Sequence, residues 1–352
     1  MAPKEEDLRA LNELISSTLA LLRQFGSSLS EDKTATPAIP NPPNPLDIVR
    51  DAAKLLKAHT TKLSLLGINK PFTPTAIAGV LRELSGTCLP AMMSVVQICE
   101  VEKASWGTQM TGEVHRRVRR VFREVQNLLE ELQSIASGNE PGGSRRDCLS
   151  STGVVWEACD ALIELEQMGI AGLAVQKAEQ YRDSIKDAIE ELQEWKEGTN
   201  LDTEGHDDEL LDSGDEGVDG DTDSLDDLFN AANSMPQDRP ELKKLVESAE
   251  ARLKKIVLLY TALVKRRFKT FKGGDNMQVA ALDKVATQLY VVQTDIDDTI
   301  ASFYDLDEDS VKEGLEKCTK EARIACESVR LGWDGKEDEF TAWSKKWEEA
   351  VS

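Results

Sequence analysis

Histidine is scarce: His59, His115 and His206 are the only three in 352 residues, and they lie far apart in the chain. General-base catalysis and zinc ligation both draw on imidazoles placed near partner groups, so the chain holds little material for either. The phosphate-cradling Gly-x-x-x-x-Gly-Lys-Ser/Thr pattern does not occur, nor do His-Glu-x-x-His or Gly-x-Ser-x-Gly. Those spacings would have placed a phosphate, a zinc ion or an activated serine. None of the six cysteines (Cys88, Cys99, Cys148, Cys159, Cys318 and Cys326) stands in a Cys-x-x-Cys pair. Most lie in apolar helical patterns, where a thiol behaves as a small hydrophobe, and they are expected to be free and buried. The aspartates at Asp219, Asp221 and Asp223 open like a calcium loop, but Ser224 stands at its sixth place and Asn230 at its twelfth, where glycine and glutamate belong. No catalytic residue, cofactor site or metal site is therefore assigned, and an enzyme is not expected.

Long apolar runs are also missing from the primary pattern. No uninterrupted stretch approaches the ~18 residues that a membrane span needs. The opening Met-Ala-Pro-Lys-Glu-Glu-Asp carries no apolar signal core, and the last residues carry no lipidation motif. Cytoplasm and nucleus are the expected compartments. Excess positive charge is absent too: the formal net charge is −22. Phosphate contacts need clustered Lys and Arg, and anionic lipid repels an anionic chain, so neither nucleic acid nor a membrane is the expected partner.

What the chain does have is helical periodicity. Leu8, Leu11, Ile15, Leu19 and Leu22 form one apolar face that ends near Phe25-Gly26. Five prolines in Thr36–Pro45 make an extended linker. A helix follows over Leu46–Leu66. Thr73-Pro74 reads as the start of the next, with Thr73 as cap and Pro74 in the first turn. Pro90 lies inside an apolar pattern and predicts a kink or break there. Val114, Val118, Val121, Val125, Leu128 and Leu132 mark a long stripe, and Gly169 and Gly172 mark a turn further on. Stripes return after Pro240 and run to Phe340, Trp343 and Trp347, which read as core positions. No convincing alternating strand is found.

Two charge features interrupt this pattern. Between Asp202 and Asp227, 13 of the 26 residues are acidic and none is Lys or Arg. Such a stretch buries too little apolar surface to offset its ordering entropy, so a disordered linker is expected. Ser213 and Ser224 each precede acidic residues two and three places on, the pattern of an acidophilic phosphorylation site. The second feature is basic. Arg116, Arg119, Arg120 and Arg123 share one helix face opposite the valine stripe. They read as a polar helix face, or as a dock for an anionic partner or for the chain's own acidic tract. Lys265-Arg266-Arg267-Phe268-Lys269 is placed at a helix C-terminus, where cations favour the helix dipole.

Val155-Trp156-Glu157-Ala158-Cys159-Asp160, and later Arg252-Leu253-Lys254-Lys255-Ile256 after the acidic insertion, resemble motifs of the cyclin-D-binding, or cyclin-D-interacting, protein family. The order of parts, helical half, acidic loop, helical half, is similar over roughly residues 46–330. The Pro-rich linker and the Trp-rich C-terminus depart from it. The resemblance implies an all-α protein of two antiparallel bundles, akin to talin and vinculin rod modules, without catalysis. It also implies cyclin-like or helix-loop-helix regulators as protein partners. The divisions expected are an N-terminal helix and Pro-rich linker (1–45), a first bundle (46–197), an acidic disordered linker (198–238) and a second bundle (239–352). Such an adaptor is expected to take an apolar partner helix in a groove between its own helices, at residues no motif identifies. The rival readings are an adhesion-type helical module and an acidic chaperone of basic proteins that grips with the tract. Trp156, on a helix with Val155, Cys159 and Leu162, is expected to be mostly buried.

The acidic tract yields a direct test. Limited proteolysis of the full chain is expected to cut first between about Gly198 and Pro236; first cuts elsewhere would contradict the linker assignment.

Overall fold

The computed structural model describes residues 5–29, 41–137, 144–198, 234–236 and 238–351. The acidic tract with Ser213 and Ser224, the calcium-like aspartates and the first half of the proline linker lie outside the described residues. Among those described, the regular elements are helices and no strand occurs, in line with the all-α expectation. They are α1 (Glu5–Ser28), α2 (Pro45–Ile68), α3 (Pro74–Glu83), α4 (Leu89–Val101), α5 (Lys103–Ala136), α6 (Ser144–Glu197), α7 (Pro240–Leu263), α8 (Asn276–Tyr304), α9 (Glu308–Ser328) and α10 (Glu339–Val351). Single π-helical turns follow α3, at Leu84–Cys88, and α7, at Val264–Phe268.

Local chemistry sets several of these bounds. Asn44 accepts a hydrogen bond from the Leu46 amide at 2.9 Å, and Pro45 occupies the first helical position of α2. Asp307 caps α9 through the Ser310 amide. Thr73, expected as a side-chain cap, precedes α3 without capping it: its hydroxyl donates instead to the Pro71 carbonyl at 3.1 Å. Pro90 interrupts the apolar helix as expected, by means of the π turn. The Leu89 amide reaches back five residues to the Leu84 carbonyl, and the widened turn accommodates a residue with no amide hydrogen. The combined run Pro74–Val101 is therefore long and apolar enough, by length and composition alone, to match a membrane span, contrary to the reading of the primary pattern. Leu81, Leu84, Leu89, Met92, Val96 and Cys99 of this run are all buried in the protein core.

The described chain divides into two compact units, Met1–Leu173 with Gly273–Asp283, and Ala174–Lys272 with Lys284–Ser352. This differs from a division at the acidic tract. The reason lies in α6, where Gly169 takes a positive φ of 59° and breaks the helical run. Beyond the break, the stretch ending at Glu197 packs with the later helices. Trp195 lies edge-on to Phe303 and Tyr304, and Lys196 pairs with Glu250 at 2.7 Å. α1 is likewise part of the first core, because Leu11, Ile15, Leu19 and Leu22 are buried in it.

In the first unit α5 packs against α1 and α4, and α2 against α3 and α4. The early part of α6 runs antiparallel to α2, with Cys148 against Ser64 and Asp160 against Lys57. Gly107, at φ 77°, breaks α5 near its start, and Asp283 accepts from the freed amides of Thr108 and Gln109, each at 2.8 Å.

The second unit is organised around a buried cation. Arg267 is 1% exposed, so the basic cluster at the end of α7 is not wholly a solvated helix end. Its guanidinium donates to the Val329 and Arg330 carbonyls and, bidentately, to Asp338 at 2.7 and 3.0 Å. The Phe340 ring lies 4.3 Å from it, and the Trp333 indole donates to the Arg267 carbonyl. One side chain thus ties the end of α7 to the connection between α9 and α10. Phe340 and Trp347 are buried, as expected for the terminal aromatic stripe, while Trp343 between them is only half-buried.

Arg267→Ala would leave Asp338 and two carbonyls without this donor, and is expected to cost ~3–5 kcal/mol in denaturant unfolding. The Arg267 hydrogen bonds hold the Asp338 carboxyl down at about 2, against an ordinary 3.8. A depressed carboxylate stabilises above its unfolded pKa and loses that contribution as pH falls through the folded one. Wild-type stability should therefore decline from about pH 4 to about pH 2, and Asp338→Asn should flatten that decline.

Candidate protein-binding face

The arginine face foreseen on α5 is present, and tertiary packing adds to it. Val114, Val118, Val121 and Val125 point into the first core. The helical period then turns Arg116, Arg119, Arg120 and Arg123 outward. Across from them stands the last part of α1, and a cleft of about 630 Å³ opens between the two helices. The four arginines and Arg23 of α1 line it, together with Leu22 and Phe122. The Phe25 ring packs 5.7 Å from that of Phe122 and holds the two helices together there. Arg23 could not be read from the pattern, because it lies some 90 positions away in a helix whose apolar face alone was informative.

These cations stand in a mixed field. Arg116 and Arg117 both bond Glu113, which is buried. Burial opposes the charge on Glu113, but the two guanidinium bonds outweigh it and hold its pKa below the usual value. Arg120 pairs with Glu157 at 2.7 Å, Arg123 with Glu124 at 2.6 Å and Arg23 with Glu130 at 3.5 Å. The side chains of Arg116 and Arg123 are 71% and 68% exposed. The Arg23–Glu130 and Arg120–Glu157 pairs are exposed on both sides and contribute only ~0–1 kcal/mol each, so an incoming carboxylate can replace the resident one there at little cost, whereas Glu113 and Glu124 are buried partners that keep their arginines.

Trp156 departs from its expected burial. It is 38% exposed, with the Lys57 ammonium 6.0 Å above the ring. The motif residues Val155 and Cys159 face the core while Trp156 sits at its edge, since one helical step turns a side chain by about 100°. Leu149, one face-repeat earlier on α6, is also exposed. The cysteines do match their reading: all six are buried free thiols. Burial pushes Cys88 up to about 11 and Cys99 and Cys159 up to about 12, so these thiols stay neutral and poorly nucleophilic at physiological pH.

Residues 48–198 match the family model of Grap2 and cyclin-D-interacting proteins, N-terminal region. The match supports the resemblance carried by Val155–Asp160, and it contains both the α5 arginines and Trp156. An uncharacterized protein of Schizosaccharomyces pombe (strain 972) is 26% identical over 307 residues, spanning 86% of this chain and 83% of its own. That likeness extends across both compact units.

A half-exposed tryptophan leaves a smaller void than a core one. Trp156→Ala is expected to cost about 1–2 kcal/mol in equilibrium unfolding, below the ~3–5 kcal/mol of a fully buried aromatic. A loss in the upper range would place the ring in the core after all.

Proposed function

We propose that this protein is a non-enzymatic helical adaptor that binds a cyclin-like or helix-loop-helix regulator. The observation that carries the reading is the match of the cyclin-D-interacting family model to residues 48–198. The chemistry of the first unit is compatible with it. The thiols there are desolvated and neutral, and several of its charged side chains are engaged in ion pairs. The polar groups that reach the surface there suit recognition of another protein better than bond-making.

The reading is tested by titrating the purified full-length chain with a purified D-type cyclin and with a helix-loop-helix dimer, by calorimetry at physiological salt. Saturable binding to one of them at micromolar affinity or better is expected, that is, about −8 kcal/mol or more. Absence of heat and of co-elution with both would overturn it. Trp156→Ala, which keeps the fold, is expected to weaken the complex at least about fivefold where the partner covers the exposed ring.

A further inference from the structure

We infer that the cleft between α1 and α5 is a dock for an acidic amphipathic helix of a partner protein. The inference rests on the protein-binding reading but not on the partner being a cyclin. Its first support is charge. In a chain of net charge −22, Arg23, Arg116, Arg119, Arg120 and Arg123 converge on a single open cleft. The second support is spacing. Arg116, Arg119/Arg120 and Arg123 recur at three or four residues along α5, so they mark a row about 10 Å long, one cation per turn. A helix laid alongside, with carboxylates at the same interval, meets each guanidinium in turn, and the planar fork of arginine favours bidentate carboxylate contacts. Leu22 and Phe122 close the bottom of the cleft between Arg23 and the α5 row, but at 2% and 3% exposure they add little contact area, so the guanidinium groups carry the recognition.

The extent of the ligand selects among anions. A long nucleic acid or an anionic membrane runs past the cleft over a stretch of chain whose charges nearly balance, 18 Lys and Arg against 21 Asp and Glu in residues 1–173, and gains no further attraction there. A short acidic helix lies within about one Debye length (~8 Å) of the arginines and is governed by the local positive field. The resident carboxylates of Glu124, Glu130 and Glu157 already show that the guanidinium groups accept such partners.

The test uses the full chain and a fluorescein-labelled synthetic helix of about 18 residues, five turns, with Glu on one face and Leu beside it, and an otherwise identical peptide bearing Gln for Glu. Anisotropy titration is expected to show the Glu peptide binding at least about tenfold more tightly than the Gln peptide, with the difference shrinking at roughly half-molar salt. Arg23→Gln with Arg123→Gln spares the Glu113 ion pairs and should weaken the Glu peptide at least about tenfold, with circular dichroism and thermal midpoint unchanged. Arg120→Gln serves as a second variant should the pair fold poorly, and Lys244→Gln, on an exposed side chain of the other unit, should change nothing. Equal binding of the two peptides would overturn the inference, as would wild-type affinity in folded cleft variants or an equal loss in Lys244→Gln. A short DNA duplex bound more tightly than the Glu peptide, and lost with the same arginines, would reassign the cleft to nucleic acid. Peptide binding without cyclin or helix-loop-helix binding would leave the dock in place and remove only the proposed regulator.

Discussion

The first unit depends on burying the stripe of Val114, Val118, Val121, Val125, Leu128 and Leu132 along α5. At ~25 cal/mol per Å² of apolar area, removing such a row from water outweighs any single polar contact in the unit. It brings α1 and α4 against α5, and Phe25 against Phe122. The same constraint builds the arginine cleft. Once the valines face inward, the helical period leaves Arg116, Arg119, Arg120 and Arg123 on the outer side, and the packing of α1 sets Arg23 opposite them. The arginine face is thus the polar complement of the core.

Arginine has two distinct fates in this molecule, and local donors and acceptors decide between them. Arg267 is inside the second unit because two carbonyls, a bidentate carboxylate and an aromatic face together replace its hydration. Removing such a cation strands its partners. Arg23 and Arg120 stay at the surface, and their pairs with Glu130 and Glu157 are of the exchangeable kind. One structure therefore uses the same side chain as an internal tie and as an external, adaptable contact.

Much of the fold was legible from the spacing of apolar residues. The stripes predicted helices with the correct inner faces, from Leu11 to Trp347, and Pro90 announced the break that the π turn resolves. Departures arose where a neighbour in space changed the outcome. Thr73 looks like a cap by residue type, yet its hydroxyl turns to the Pro71 carbonyl. Gly169 was recognised as a turn, but whether the following helix joins the earlier or the later helices depends on partners such as Phe303 and Glu250, more than 50 residues away.

The amino-acid order by itself determined the helical class, the inward faces, the burial of the cysteines and the outward row of arginines on α5. Each follows from one period and one solvent preference. Tertiary structure alone decided that Arg23 joins that row, that Arg267 goes inside and that Trp156 stays partly out. Those outcomes depend on which distant groups arrive to replace water around a side chain, and helical periodicity carries no information about them.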